Sequence, residues 1–198
     1  MNWQILLAPL FIGVALPALA ATAGQTAPNF SLTDTQGKTV QLSDFKGRYV
    51  VLEWTNPRCP FVLNHYNTRN MQGLQAEWGP RGVVWLSIDS SNKSSWSFMQ
   101  PAKLDAWMHE QGAAQKAVLV DGESTVAKLY QAKTTPHMFV IDPEGRVVYA
   151  GAIDDRPSTR PQDPPAAKNY VRTALTQATG GAPVTTTNTT PYGCSIDY

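Results

Sequence analysis

The chain has 198 residues, 16 Lys+Arg against 15 Asp+Glu, a formal charge of +1, and 42% hydrophobic residues. That length suits one domain with a sizeable core, and plentiful aromatics with little net charge exclude global disorder. No basic excess exists to neutralise phosphates, so nucleic acid is not an expected partner; two cysteines exclude a disulfide-dense miniprotein and a four-cysteine zinc site.

Residues 1–20 are expected to be a secretory signal peptide. Ile5 to Ala21 carries no charge and contains Pro9 and Pro17. It is shorter than the roughly 20 residues a spanning helix needs. Ala18-Leu19-Ala20 is a small-x-small cleavage signature. A periplasmic or secreted protein with no stable membrane span after cleavage follows, with an uncleaved anchor as the rival. In an oxidising compartment the two cysteines can persist as a disulfide.

The mature chain is expected to hold one domain over residues 21–181 and a Thr/Pro-rich tail over 182–198. Phe30–Thr33 and Thr39–Leu42 alternate in polarity around a turn at Asp34–Lys38, which predicts a hairpin. Ser43 is placed to cap the short turn that follows. Tyr49–Trp54, Val83–Ile88, Ala117–Val120 and Met138–Ile141 are nearly continuous apolar runs, the pattern of strands buried on both faces. Arg146–Ala150 follows as a fifth strand after the turn Asp142-Pro143-Glu144-Gly145.

Helices are predicted between these strands. From Pro60 to Trp78, Leu63, Tyr66, Met71, Leu74 and Trp78 share one arc, which places His65 on the opposite, solvent side. Pro101–Gln111 starts with proline and stops at Gly112. Ser124–Tyr130 and Ala166–Ala178 complete the set, and the four prolines of Asp154–Pro165 predict a surface loop. The alternation predicts an α/β sandwich: a mixed central sheet flanked by helices, with the N-terminal hairpin as an extension. Trp54, Trp85, Trp96, Trp107 and Phe139 are expected to pack in the core or at its rim.

Cys59 falls between the Tyr49–Trp54 strand and the helix that starts at Pro60. A cysteine at a helix N-terminus meets unpaired N–H groups and the positive end of the macrodipole, which favour the reactive thiolate. Arg58 adds positive charge. The strand–turn–helix position is expected to expose a solvent-reachable sulfur at the carboxyl end of a sheet strand, where α/β folds place their sites. The competing interpretation is an inert buried cysteine.

Residues 43–60, Ser-Asp-Phe-Lys-Gly-Arg-Tyr-Val-Val-Leu-Glu-Trp-Thr-Asn-Pro-Arg-Cys-Pro, resemble the opening of thioredoxin-fold redoxins. These include periplasmic thioredoxin-like thiol–disulfide oxidoreductases and the peroxiredoxin-like alkyl-hydroperoxide-reductase/thiol-specific-antioxidant group. Residues 135–145, from Thr135-Pro136-His137 to Gly145, resemble the family's cis-proline strand and the turn after it. The resemblance covers roughly Ala27 to Ala178 and extends to a Gly193-Cys194-Ser195 ending. It implies a thioredoxin-like fold and thiol–disulfide exchange or peroxide-linked redox chemistry. A protein thiol or disulfide, or a peroxide, would be the partner, and no cofactor is implied.

The resemblance also assigns residues. Cys59 is the nucleophile, and Cys194 a resolving cysteine, a static structural partner, or a thiol that pairs between molecules. Glu53 is the buried carboxylate that carries a proton, with a half-exposed residue paired to a Lys as its bland alternative. Asn56 and Arg58 are not assigned by the family pattern, but both are able to donate hydrogen bonds at the thiol. Thr135, Pro136 and His137 form the substrate-docking edge. Three departures weigh against efficient peroxide reduction or a local dithiol. Val62 stands where thioredoxins have their second cysteine. Asn56 and Leu52 replace the Thr and Pro of the peroxidatic loop, and Thr135-Pro136-His137 replaces the strand that brings a peroxide-orienting Arg.

A non-enzymatic alternative is a periplasmic binding or copper-handling module on the same scaffold, with Cys59, His137 and His65 as a Cys/His₂ set.

Overall fold

A computed structural model describes residues 21–196; the expected signal peptide lies outside the described residues. The hairpin is β1 (Ser31–Asp34) and β2 (Thr39–Gln41). After β3 (Val50–Trp54) come α1 (Pro60–Asn67) and α2 (Asn70–Trp78). Then follow β4 (Val84–Asp89), α3 (Pro101–Glu110), β5 (Ala117–Val120) and α4 (Thr125–Tyr130). The two-residue β6 (Thr134–Thr135) leads to β7 (His137–Ile141) and β8 (Val147–Gly151). Last are α5 (Asp163–Ala166), α6 (Tyr170–Thr179) and β9 (Cys194–Ser195).

The main sheet has seven strands in the order β2-β1-β5-β4-β3-β7-β8. β3–β4 and β4–β5 are parallel, while the hairpin and β7–β8 join antiparallel. This is the mixed α/β sandwich the sequence predicts. Each central strand sends alternate residues into one of two cores. Val50, Leu52 and Trp54 of β3 enter a core under α4 and the N-terminal segment, with Phe30, Val40, Tyr130 and Phe139. Val51 enters the other, with Trp85 of β4 and with Val62, Tyr66, Leu74, Leu104 and Leu175 from the helical layer. No helix among the described residues is long and apolar enough to cross a membrane.

Four local expectations are corrected. The single helix over 60–78 is two helices, broken at Arg69 in the left-handed region (φ 61°). The Thr68 hydroxyl caps the first by donating to Asn64 O, and Gln72 Nε2 holds the corner by donating to Tyr66 O and Gln111 O. The turn at Leu42–Phe45 is tied by Asp44, whose carboxylate accepts from the Gln41 N–H at 3.0 Å, rather than by Ser43. Asp154–Pro165 is not a plain surface loop: Asp154 and Asp163 are buried, Arg156 and Arg160 pair with Asp163, and Asn64 donates to the carbonyls of Ser158 and Arg160. Trp96 is 71% exposed instead of packed.

Candidate functional site

The segment between β3 and α1 builds the site from its backbone. Asn56 Oδ1 accepts from the Arg58 N–H at 2.7 Å, and Asn56 O accepts from the Cys59 N–H at 3.0 Å. These bonds turn the chain so that Cys59 is the extended N-cap of α1, with Pro60 in the first turn, where its missing N–H costs nothing. The Asn56 amide donates to Ser91 Oγ and Ser97 O, which fixes the turn to the loop after β4. The hydrogen bond expected from Asn56 at the thiol is therefore corrected: its amide is committed to these two acceptors, and Asn56 shapes the approach to the sulfur through the turn. The Arg58 side chain is exposed beside it.

Cys59 is bridged to Cys194, with Cα atoms 5.8 Å apart. Cys194 reaches it on β9, which pairs antiparallel with β6, Thr135 opposite Cys194 and Thr134 opposite Ser195. The Thr135-Pro136 peptide bond is cis. Cys59 Sγ sits 3.0 Å from the Thr135 carbonyl oxygen, an acceptor for the thiol when reduced. Glycine is required at 193, because a Cβ there would collide with the Thr135 carbonyl and φ is +136°.

The expectation of a solvent-reachable sulfur is corrected for this bridged state: Cys59 is only 2% exposed. The tail is what covers it. Thr187 O accepts from the Ala150 N–H, the Thr189 N–H donates to Ala150 O, and Ile196 N donates to Lys133 O. Gly151 makes room for the crossing, since a Cβ there would strike Thr189. Cys194 itself is half-buried at the edge of a bowl lined by Asn56, Asp89, Ser91, Ser97 and the exposed Trp96.

Glu53 points into the helical-side core and is fully buried, not half-exposed beside a Lys. Trp85 Nε1 donates to it at 2.7 Å, Ser87 Oγ at 2.9 Å and Tyr66 Oη at 3.0 Å. Burial pushes its carboxyl above the usual range, against the pull of those donors. Its hydrogen bonds go to these three side chains and not to Cys59. Tyr66 belongs to α1, so the carboxyl lies beneath the helix that Cys59 caps.

The two candidate histidines part company. His137 is buried on the other face of the sheet, its ring 4.5 Å from that of Phe139 and its Nδ1 accepting from the Lys133 N–H. Burial, with Lys133 adding to it, lowers its pKa to about 3. His65, expected at the surface, is fully buried, and burial lowers its pKa to about 4. No group of three His, Cys, Asp or Glu side chains able to hold a metal occurs among the described residues, so the copper set is not assembled there.

Sequence reasoning missed what surrounds His65. Asn70 Nδ2 lies 2.9 Å from His65 Nδ1, and His65 Nε2 lies 3.0 Å from the Tyr192 hydroxyl. That hydroxyl donates to Asp154 Oδ1 at 2.5 Å. The available signal was Tyr192 standing two residues before Cys194, the spacing that puts two side chains of an extended segment on one face.

Residues 23–150 match the model of the AhpC/TSA family. The thiol-disulfide oxidoreductase ResA of Bacillus subtilis (strain 168) is 30% identical over 132 residues. That match covers 63% of this chain and 64% of ResA, less than two thirds of that relative's length. An uncharacterized conserved protein from Geobacillus kaustophilus superposes with a TM-score of 0.79 at 28% identity, covering 90% of this chain and 93% of its own. The thioredoxin domain of a thiol-disulfide oxidoreductase from Bacteroides vulgatus has a TM-score of 0.52 at 20% identity, over 65% of this chain and 86% of its own; it shares the thioredoxin-like fold.

Proposed function

The chain belongs to the AhpC/TSA family, and on that premise we propose that it is an exported thiol–disulfide oxidoreductase cycling between a Cys59–Cys194 disulfide and the dithiol. The observation that carries this is the bridge itself: a helix N-cap cysteine joined to a tail cysteine on the strand edge beside Pro136. The helix N-terminus favours the Cys59 thiolate over the thiol. In the reducing direction, the Cys59 thiolate attacks one sulfur of a client disulfide, and the other client sulfur leaves as a thiolate. Cys194, as thiolate, then attacks Cys59 Sγ. The client's second thiolate leaves, and the two electrons the client gained come from the Cys59/Cys194 pair. A partner protein dithiol resets the pair.

Within this reading Asn56 and Arg58 hold the turn and its charge, and the backbone of Thr135 beside Pro136 is the edge for an extended client segment. Glu53 is the proton reservoir beneath α1, its neutral form favoured by burial. His137 supports that strand from the opposite face. Export rests on the apolar leader and on the disulfide, which oxidising compartments preserve.

The test is turnover of insulin disulfides by the mature protein with a dithiol reductant. Wild type accelerates the reaction and Cys59→Ser abolishes the acceleration. Cys194→Ser accumulates a mixed disulfide between Cys59 and the client, detectable by mass. A wild-type rate equal to the uncatalysed one overturns the proposal.

A further inference from the structure

Tyr192 and Cys194 both turn toward α1. The Tyr192 ring lies 5.7 Å from Phe61 and 6.3 Å from His65, one helical turn apart on that helix, and Cys194 bridges to its N-cap. Anchor and reactive sulfur thus sit on one rigid element. The hydrogen bonds around the phenol have a fixed direction. The Tyr192 O–H is given to Asp154, so toward His65 the phenol oxygen accepts. His65 Nε2 then carries the proton, and Nδ1 accepts from Asn70 Nδ2. Both groups receiving the phenol are buried: His65 is 0% and Asp154 1% exposed, and Asp154 Oδ2 has no hydrogen-bond partner. Asp154 Oδ1 also accepts from the Arg156 N–H at 3.0 Å, so among the described residues the phenol is the one side-chain donor to a buried carboxyl whose other oxygen has none, and its bond gains accordingly. Among the tail's hydrogen-bonded side chains, Tyr192 is the one nearest Cys194 in sequence.

We infer that Tyr192 is a positioning residue: its hydroxyl, seated between His65 and Asp154, docks the tail so that Cys194 meets Cys59. The inference rests on the pairing of these two cysteines in the proposed exchange cycle. The phenol transfers no electrons. It raises the effective concentration of Cys194 at Cys59 and so shifts the internal dithiol–disulfide equilibrium toward the disulfide.

The experiment equilibrates the mature protein with glutathione redox buffers at pH 7 and counts the Cys59–Cys194 disulfide by alkylation and mass. Tyr192→Phe keeps the ring on Phe61 and removes the hydroxyl. It is expected to weaken disulfide formation about tenfold to a hundredfold, which raises the two-electron potential by roughly 30–60 mV. Asp154→Asn, which keeps an acceptor oxygen, shifts it in the same direction by less. A hydroxyl that merely stabilised the fold would lower the melting temperature of the reduced protein and leave the potential alone. A potential within twofold of wild type in Tyr192→Phe overturns the inference. Insulin turnover by wild type, measured alongside, separates the two claims. A shifted potential without turnover defeats the oxidoreductase reading and keeps the positioning role. Turnover with an unshifted potential does the reverse.

Discussion

The N-terminal hairpin and the C-terminal tail extend opposite edges of the same sheet, and they are fastened differently. The hairpin pairs with β5 and buries Phe30, Val40 and Leu42 in the core under α4. The tail adds a single bridge at Asn188 beside β8 and the two-residue β9, and none of residues 182–196 is fully buried. Val184, Tyr192 and Ile196 pack partly buried against the cores, and hydrogen bonds and one disulfide complete its attachment. Apolar area holds the first segment whatever the redox state. A bond that two electrons can open holds the second, as a segment that must meet and leave a reactive sulfur requires.

The largest expected effect lies at the hairpin. Phe30→Ala should cost about 3–5 kcal/mol of stability, measured by urea unfolding, and equally in oxidised and reduced protein. A redox-dependent loss would break the contrast.

The next effect is a pH response beneath the tail. The folded pKa of His65 is depressed to about 4 from an unfolded 6.5. Its contribution is therefore complete above 6.5 and is lost as pH falls toward 4. At pH 4 the loss is about 3 kcal/mol. Burial pushes the carboxyls of Glu53, Asp89 and Asp154 upward, and they act with the opposite sign. The clean reading is thus the difference from His65→Gln, which should lose about that much less stability between pH 7 and pH 4.

The smallest effect is at Gly193. Gly193→Ala must move β9 off the Thr135 carbonyl, a strain of about 1–3 kcal/mol confined to the docked tail. Limited proteolysis should cut the tail of the variant faster in the oxidised state, while the melting of the reduced protein is unchanged. Equal cleavage of variant and wild type would mean that the glycine is not needed for docking.

The parallel centre of the fold was legible because its strands are buried on both faces and so leave unbroken apolar runs, as in Tyr49–Trp54 and Val83–Ile88. Cys59 was legible too, since strand, turn and Pro60 follow one another directly. The break at Arg69 was not, because the bonds that hold it run to Gln111, 42 residues away. His65 misled for a related reason. Its arc does face away from the neighbouring helix residues, but the tail, 127 residues on, supplies the cover. A segment that docks through hydrogen bonds and a few scattered, partly buried side chains leaves no periodic apolar trace, so the sequence showed the arrival of Cys194 and not the path that brings it there. Trp96 failed in the other direction: hydrophobicity alone does not say that a side chain is inside.

The disulfide joins positions 135 residues apart, so a covalent ring encloses everything from α1 to β9 and leaves the hairpin and β3 outside it. Pulled by its two ends, the oxidised molecule can pay out only the chain beyond the ring. Reduction would release roughly 450 Å more contour. A force spectrometer would therefore see the redox state of one sulfur pair as the length of the whole protein.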